Sequence, residues 1–418
     1  MMAQVITPAS RVELRPLAIR PDGDGWVMGD TERGVFIRVP AVARAVTTLL
    51  GEGCSLEETT QRLRTGYGRV DVKAFVESLA GIGLISSIDG VDVSAPPPAA
   101  PTLPWLSPRH VAWLHSPLVA WSVACIIVTG AVCAIGNPAK VPGYHSLLWT
   151  GSGALSLLSN AVLAWSIALL HETAHLATAR GIGVPARMNL STRLTFLAVQ
   201  TDVTGAWAGT RRQRLTIYLA GMCVNAVIAA TGMITICCLP GSSTALLPLR
   251  AAVIIATLGL APQFLVFMRT DIYFVVQDLA RTANLYGDAI ACLRHHLPVI
   301  VLRWLSTTGH PCLRFAARER RAVHMYAAIV VLGTLCWLGL AATVTYPAMF
   351  AFVRAALLKL GPDDSSGNNI DGAVVLLVVG TLQTLWARSW WRRHGPRLIS
   401  WATRRALRGG SRYGHEPQ

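Results

Sequence analysis

Charge is scarce in this sequence, and acidic charge is scarcer still. Only 14% of the 418 residues are charged, with 22 Asp and Glu against 37 Lys and Arg, while 52% are hydrophobic. That balance is not the balance of an ordinary soluble domain and indicates an integral membrane protein. No dense basic helix is present, so the net charge of +15 reads first as topology and contact with anionic lipid, and nucleic acid is not an expected partner. No C-x-x-C pair occurs, which argues against a thiolate metal site. Six of the nine cysteines (Cys125, Cys133, Cys223, Cys237, Cys238 and Cys336) lie inside apolar runs, where a thiol packs as a small hydrophobe. The opening residues, MMAQVITPASRVELRPL, lack the apolar core of a signal peptide, so the N-terminus is expected to stay in the cytoplasm.

What the sequence has in abundance is long apolar runs. Six spans are expected, at about 113–136, 153–180, 214–238, 246–268, 322–347 and 371–389, each long enough to cross a bilayer at about 1.5 Å per residue. The connections after the first, third and fifth spans hold few basic residues. Those after the second and fourth hold Arg187, Arg193, Arg211, Arg212 and Arg214, then Arg281, Arg294, Arg303, Arg314, Arg318, Arg320 and Arg321. The tail adds Arg388, Arg392, Arg393, Arg397, Arg404, Arg405 and Arg408. By the positive-inside rule both termini face the cytoplasm of a multi-pass cell-membrane protein. The expected fold is mainly α: a polytopic bundle over 110–390, a basic cytoplasmic tail over 391–418, and a small soluble unit ahead of them.

That unit, residues 11–90, reads as α+β. Gly25–Asp30 and Gly34–Val39 are short strand-like runs around the turn-prone Thr31-Glu32-Arg33. Helical periodicity follows in PAVARAVTTLL, then in SLEETTQRLRTGY, where Ser55 and Glu58 form a capping box, then in VDVKAFVESLAGIGLI. Three small strands and three helices make a winged-helix-sized module. Residues 91–109, with Pro96-Pro97-Pro98, form a linker stiffened by proline.

The chemistry concentrates near the end of the second span, in Leu170-His171-Glu172-Thr173-Ala174-His175-Leu176. Residues four apart on a helix lie one above the other, so His171 and His175 can present two imidazoles to one metal ion. Glu172 then sits beside the open coordination position, placed to take a proton from a water activated by the metal. Two ligands are too few for catalytic zinc. The fourth span returns to the same side near Asp271, the third candidate ligand; its alternative is an ion pair with Arg269. Asp278, seven residues on, is the reserve ligand or a group behind the ligands. In the third span Gly221 permits close helix approach, and Asn225 offers an amide either to substrate or to a neighbouring helix. His295 and His296 lack acidic neighbours at matching spacing and are expected at the lipid interface.

These motifs resemble known families. The His-Glu-x-x-His helix, Ala220-Gly221-Met222-Cys223-Val224-Asn225 and Arg269-Thr270-Asp271-Ile272-Tyr273-Phe274 resemble the three motifs of site-2-type intramembrane metalloproteases, in the form found in bacterial peptide-maturation relatives. Met222 replaces the usual Pro of the second motif and Ile272 the usual Gly of the third. The resemblance implies a Zn2+ held by His171, His175 and Asp271, with Glu172 as catalytic base. It also implies a β-hairpin between the second and third spans, where Leu194–Val199 partly alternates. Residues 25–85, with the Gly29-Asp30 turn, Val39-Pro40, Gly53-x-Ser55-x-Glu57-Glu58 and Phe75-x-x-x-Leu79-x-x-x-Gly83-Leu84-Ile85, resemble PqqD-like domains. Those bind leader segments of ribosomally made precursor peptides by strand addition to a sheet edge.

Together these features predict a membrane zinc metallopeptidase that cleaves a precursor peptide recognised through its leader, with the lipid bilayer and a peptide-modifying enzyme or exporter as further partners. Three alternatives stay open: a general intramembrane protease of membrane regulators, a non-enzymatic export or immunity partner, and a di-iron oxidase. The last lacks the further His-rich boxes it needs.

Overall fold

The computed structural model describes residues 6–22, 25–93, 100–150, 152–193, 196–239, 244, 246–280, 282, 284–296, 317–358, 360 and 366–410. The chain is mainly helical, and among the described residues six helices are long and apolar enough to cross a membrane. The N-terminal unit contains β1 (Val12–Leu14), β2 (Ala18–Asp22), β3 (Gly25–Asp30) and β4 (Val35–Val39), then α1 (Ala41–Gly51), α2 (Leu56–Tyr67) and α3 (Val72–Gly81), and closes with the hairpin β5 (Ile85–Ile88) and β6 (Val91–Asp92). Three strands are expected there and six are found, in two antiparallel sheets of order β1-β5-β6 and β2-β3-β4. The expected capping box at α2 is present: Ser55 Oγ accepts from Glu58 N–H and Glu58 Oε2 accepts from Ser55 N–H.

Both faces of the β2-β3-β4 sheet are covered. Trp26 and Met28 alternate with Val27 and Gly29, so the first pair faces one side and the second the other. Met28 packs with Val39 and Ala43 toward the helices. On the opposite face Val27 is buried too, and all three strands approach the 3-10 turn Thr204–Ala208 of the membrane region. Gly29 carries no side chain because a Cβ there would meet Phe36 and the Val35 carbonyl. Gly34, with φ +67°, turns the chain beside Thr204, and Arg187 donates to the Glu32 carbonyl at 3.4 Å. The small unit is therefore seated on the loop that follows the membrane region's own hairpin.

The linker is strapped down in its second half. Thr102 N–H donates to the Ala186 carbonyl, Arg180 Nε donates to the Leu106 carbonyl, and Leu106 is buried against Leu176 and Ala179. A short helix, α4 (Pro108–Val111), and a 3-10 turn lead to α5 (Pro117–Gly136), which starts at Pro117 rather than the expected 113. The bundle continues with α6 (Gly153–Gly181), the hairpin β7 (Arg187–Arg193) and β8 (Phe196–Asp202), α7 (Arg211–Cys238), α8 (Leu246–Leu260), α9 (Asp271–Ala280), α10 (Leu285–His296), α11 (Ala317–Leu340), α12 (Tyr346–Leu358) and α13 (Ser366–Gly410). The tail expected from residue 391 is a continuation of α13.

Helix ends are paired at one face of the bundle. Lys140, just past α5, donates to the Cys237 carbonyl at the end of α7. At the start of α6, Ser152 Oγ and Ala154 N–H both donate to Asp371 of α13, at 2.7 and 3.2 Å. A carboxylate there satisfies free N–H groups and complements the helix dipole. The fourth span ends sooner than expected. Pro262 lacks the N–H that would continue the helix, and the chain passes through 3-10 turns at Ala261–Phe264 and Val266–Met268 before Arg269 adopts φ +57°. The turn re-aims the chain, and α9 starts afresh at Asp271.

Candidate metal centre

Three side chains from α6 and α9 meet at one point. His171 and His175 are one helical turn apart, with ring centroids 5.0 Å apart at 68° and Nε2 atoms separated by 3.2 Å. Asp271 Oδ2 lies 3.0 Å from His171 Nε2 and 3.3 Å from His175 Nε2. Asp271 therefore faces the histidines, while Arg269 lies over the rings of Tyr273 and Tyr286.

The opposite sides of both imidazoles are held. His175 Nδ1 lies 2.7 Å from the Ile217 carbonyl, which can only accept, so Nδ1 carries the hydrogen and Nε2 presents a lone pair. His171 Nδ1 lies 3.3 Å from Asn225 Oδ1, and Asn225 Nδ2 donates to the Ala256 carbonyl at 3.3 Å, which fixes the amide so that its oxygen faces the ring. Both histidines thus turn lone pairs toward a carboxylate oxygen that finds no hydrogen-bond donor among the described residues. Three electron pairs facing one another in a buried site call for a cation between them. Tetrahedral ligands at about 2.0–2.1 Å from zinc stand about 3.3–3.5 Å apart, and the donor triangle of 3.0, 3.2 and 3.3 Å fits that size. The same three residues could hold a metal ion; nothing in the triangle selects zinc over other small divalent ions.

Helix α7 backs the histidines closely. A Cβ on Gly221 would overlap the His171 ring and meet His175 Nε2, so only glycine lets α7 come near enough for the Ile217 carbonyl and Asn225 to reach. Glu172 lies beside the triangle in a cleft of about 20 Å³ that His175, Tyr218, Asp271 and Phe274 also line. Thr201 N–H donates to Glu172 Oε2 at 2.7 Å, and Thr201 Oγ1 donates to the Glu172 carbonyl at 3.0 Å. Those bonds dock β8 on α6. Gln200, Thr201, Val203, Tyr218 and Phe274 also line a neighbouring cavity of about 890 Å³.

Of the residues expected at the site, His171, His175 and Asp271 converge, Asn225 stands behind His171, and Glu172 lines the same cleft. Asp278 is elsewhere. Its Oδ1 accepts from Arg214 Nη2 at 2.7 Å, both groups are buried, and Arg214 also lies over Trp207. A carboxylate already paired inside the protein has little to offer a metal, so the reserve-ligand expectation for Asp278 is corrected to a tie between α7 and α9. The side chains of His295 and His296 lie outside the described residues. Thr201 and the Ile217 carbonyl were not foreseeable: one is an ordinary strand residue, and the other is a backbone group with no signal in its side chain.

Compared with protein-family models, curated proteins and solved structures, the chain matches none. The functional reading therefore rests on the motifs and on this geometry.

Proposed function

We propose that this protein is a membrane-embedded zinc metallopeptidase that hydrolyses a peptide bond in a ribosomally made precursor, with the precursor's leader bound by the N-terminal unit. The observation that carries the reading is the convergence of His171 Nε2, His175 Nε2 and Asp271 Oδ2 beside Glu172. His171, His175 and Asp271 are the zinc ligands. Bound zinc supplies Lewis acidity, acidifying a water and polarising the scissile carbonyl. Glu172 is the base. Its Oε2 is occupied by the Thr201 N–H, which leaves Oε1 to take the water's proton and later deliver it to the leaving amine. Asn225 and the Ile217 carbonyl orient the ligand rings.

The seating of the β2-β3-β4 sheet on Thr204–Ala208, two residues past β8, supports a leader held close to the cleavage site. Strands β2 and β4 are the edges of that sheet and are the positions to which a leader can add. Both termini and the site are assigned to the cytoplasmic side of the cell membrane.

The test is metal content of detergent-purified protein together with cleavage of the candidate precursor. Near-stoichiometric zinc in the wild type, lost in His171→Ala and Asp271→Ala and kept in Glu172→Gln, is the expected pattern. Glu172→Gln should lower turnover by about 10²–10⁴-fold. Wild-type protein without zinc after chelator-free purification, or a Glu172→Gln variant that cleaves normally, overturns the reading.

A further inference from the structure

The cavity beyond the cleft carries a charge pattern that peptide hydrolysis itself does not use. Its walls come from β7 (Asn189, Leu190), the end of β8, α9 and one face of α13, and three guanidinium groups line it: Arg269, Arg388 and Arg392. Arg388 and Arg392 are four apart on α13 and so share a helix face. The one carboxylate among the described residues of the wall, Asp202, is engaged by Thr204, accepting from its N–H at 3.0 Å and its Oγ1 at 2.6 Å. Among the described residues none of the three arginines has a carboxylate partner. Arg269 holds a left-handed backbone, φ +57° and ψ +49°, which glycine would adopt without strain. The guanidinium it carries rests on the faces of Tyr273 and Tyr286, 5.9 and 5.6 Å from their centroids. A charged side chain kept at a position that favours glycine, steadied by two rings at the cavity wall, is placed for use.

We infer that this cavity is a subsite for acidic residues of the peptide substrate, held by Arg269, Arg388 and Arg392 while the adjoining chain enters the cleft at Glu172. This rests on the peptidase reading for what is bound, and on the cavity's own chemistry for the charge. At about 890 Å³ it falls within the range of about 300–1,000 Å³ of ligand sites. Guanidinium forks match carboxylates in shape and charge. Amides of Asn189, Gln200 and Asn284 on the same walls can pair with peptide backbone, which a lipid headgroup does not need. Gln200, Thr201 and Val203 line both the cavity and the cleft at Glu172, so a peptide side chain held in the first lies next to the second.

The test is binding, separate from catalysis. Full-length Glu172→Gln protein in neutral detergent is titrated into a fluorescein-labelled decapeptide rich in Glu and into the same peptide with every Glu replaced by Gln, followed by anisotropy. About tenfold tighter binding of the acidic peptide is expected, weakening as salt rises. The preference should vanish in Arg388→Gln/Arg392→Gln and shrink in Arg269→Gly, which relieves the backbone strain, while affinity for the amide peptide is unchanged. Equal affinity for the two peptides, or a preference that survives in the arginine variants, overturns the proposal. Repeating the titration in nanodiscs of phosphatidylcholine with and without phosphatidylglycerol separates the lipid source: if the anionic lipid removes the acidic-peptide preference, the cavity is a headgroup site and the proposal fails. A wild-type protein that cleaves nothing yet shows the preference would sink the peptidase reading and leave the subsite standing.

Discussion

Asn225 acts on the proposed centre only through His171, and that makes its contribution separable. Replacing it with Leu removes the acceptor for His171 Nδ1–H and the donor to the Ala256 carbonyl. Losses of such outer partners typically weaken metal binding about 10–100-fold, so Asn225→Leu should show that loss in competition with a chromophoric chelator, while Asn225→Asp, which keeps an acceptor, retains most of the affinity. Asp278→Asn gives the opposite pattern. It leaves the buried Arg214 without its carboxylate, a change of about 3–5 kcal/mol in buried pairs. The midpoint of thermal unfolding should fall while zinc stoichiometry stays, and metal loss equal to that of His171→Ala would return Asp278 to the ligand set. At this scale the sequence was informative where geometry is local. His171 and His175 are readable because one helical turn joins them. Asp271, 100 residues on in the chain, is reached only by matching the depths of two spans. The Arg214–Asp278 pair spans 64 residues, and no periodicity announces it.

Among the elements, the hairpin couples to the site through Thr201, whose N–H is the bond that reaches the Glu172 carboxylate and whose hydroxyl bonds the Glu172 backbone carbonyl. Thr201 pairs with Met188, yet Thr201 N–H goes to Glu172 and Met188 N–H to Thr102 Oγ1; the pair is one of those whose N–H groups point away from the ladder. Thr201→Pro therefore deletes the bond to the Glu172 carboxylate, together with the hydroxyl's bond to the Glu172 carbonyl, and spares the β7–β8 ladder. Turnover should fall on the order of 10- to 100-fold, the worth of a hydrogen bond to a charged group, with zinc retained; Thr201→Val, which loses only the hydroxyl's bond to the Glu172 backbone and keeps the N–H on the carboxylate, should stay near wild type. Unchanged turnover in Thr201→Pro would show that Glu172 does not depend on the strand.

Helices α10 and α11 offer a pH test of packing. Burial, and then the charge of Glu319, pushes the Asp288 carboxyl up to about 6 from an ordinary 3.8. The folded state thus binds more protons than the unfolded one between those values, and stability falls as pH rises from about 4 to above 6. Asp288→Asn should flatten that slope in thermal melts, and a slope unchanged by the substitution would place its source elsewhere. Element boundaries were least legible where local chemistry works against type. Strand β2 contains Pro21, which argues against a strand except at an edge, and β2 is an edge. The early end of α8 follows from Pro262, whose effect depends on the turns after it.

For the whole molecule, sequence and structure bear on orientation from different directions. Charge counting assigns the arginine-rich connections to the cytoplasm. Independently, hydrogen bonds gather helix ends into two faces: Lys140 with Cys237 and Ser152 with Asp371 at one, and His115 with the Thr178 carbonyl, the hairpin and the N-terminal unit at the other. The proposed centre belongs to the second face, so its sidedness and that of both termini are one question. Epitope tags at the two termini should resist added protease in right-side-out vesicles and be digested in inverted ones. A tag inserted after Gly143, between the 3-10 turns Pro138–Lys140 and Tyr144–Leu147, should behave the opposite way. If the terminal tags are digested from outside, the seated unit meets its peptide on the far side of the membrane, and a cytoplasmic precursor could not be its substrate. If all three tags behave alike, an odd number of crossings separates neither terminus from that loop, and the six-span arrangement itself must be revised.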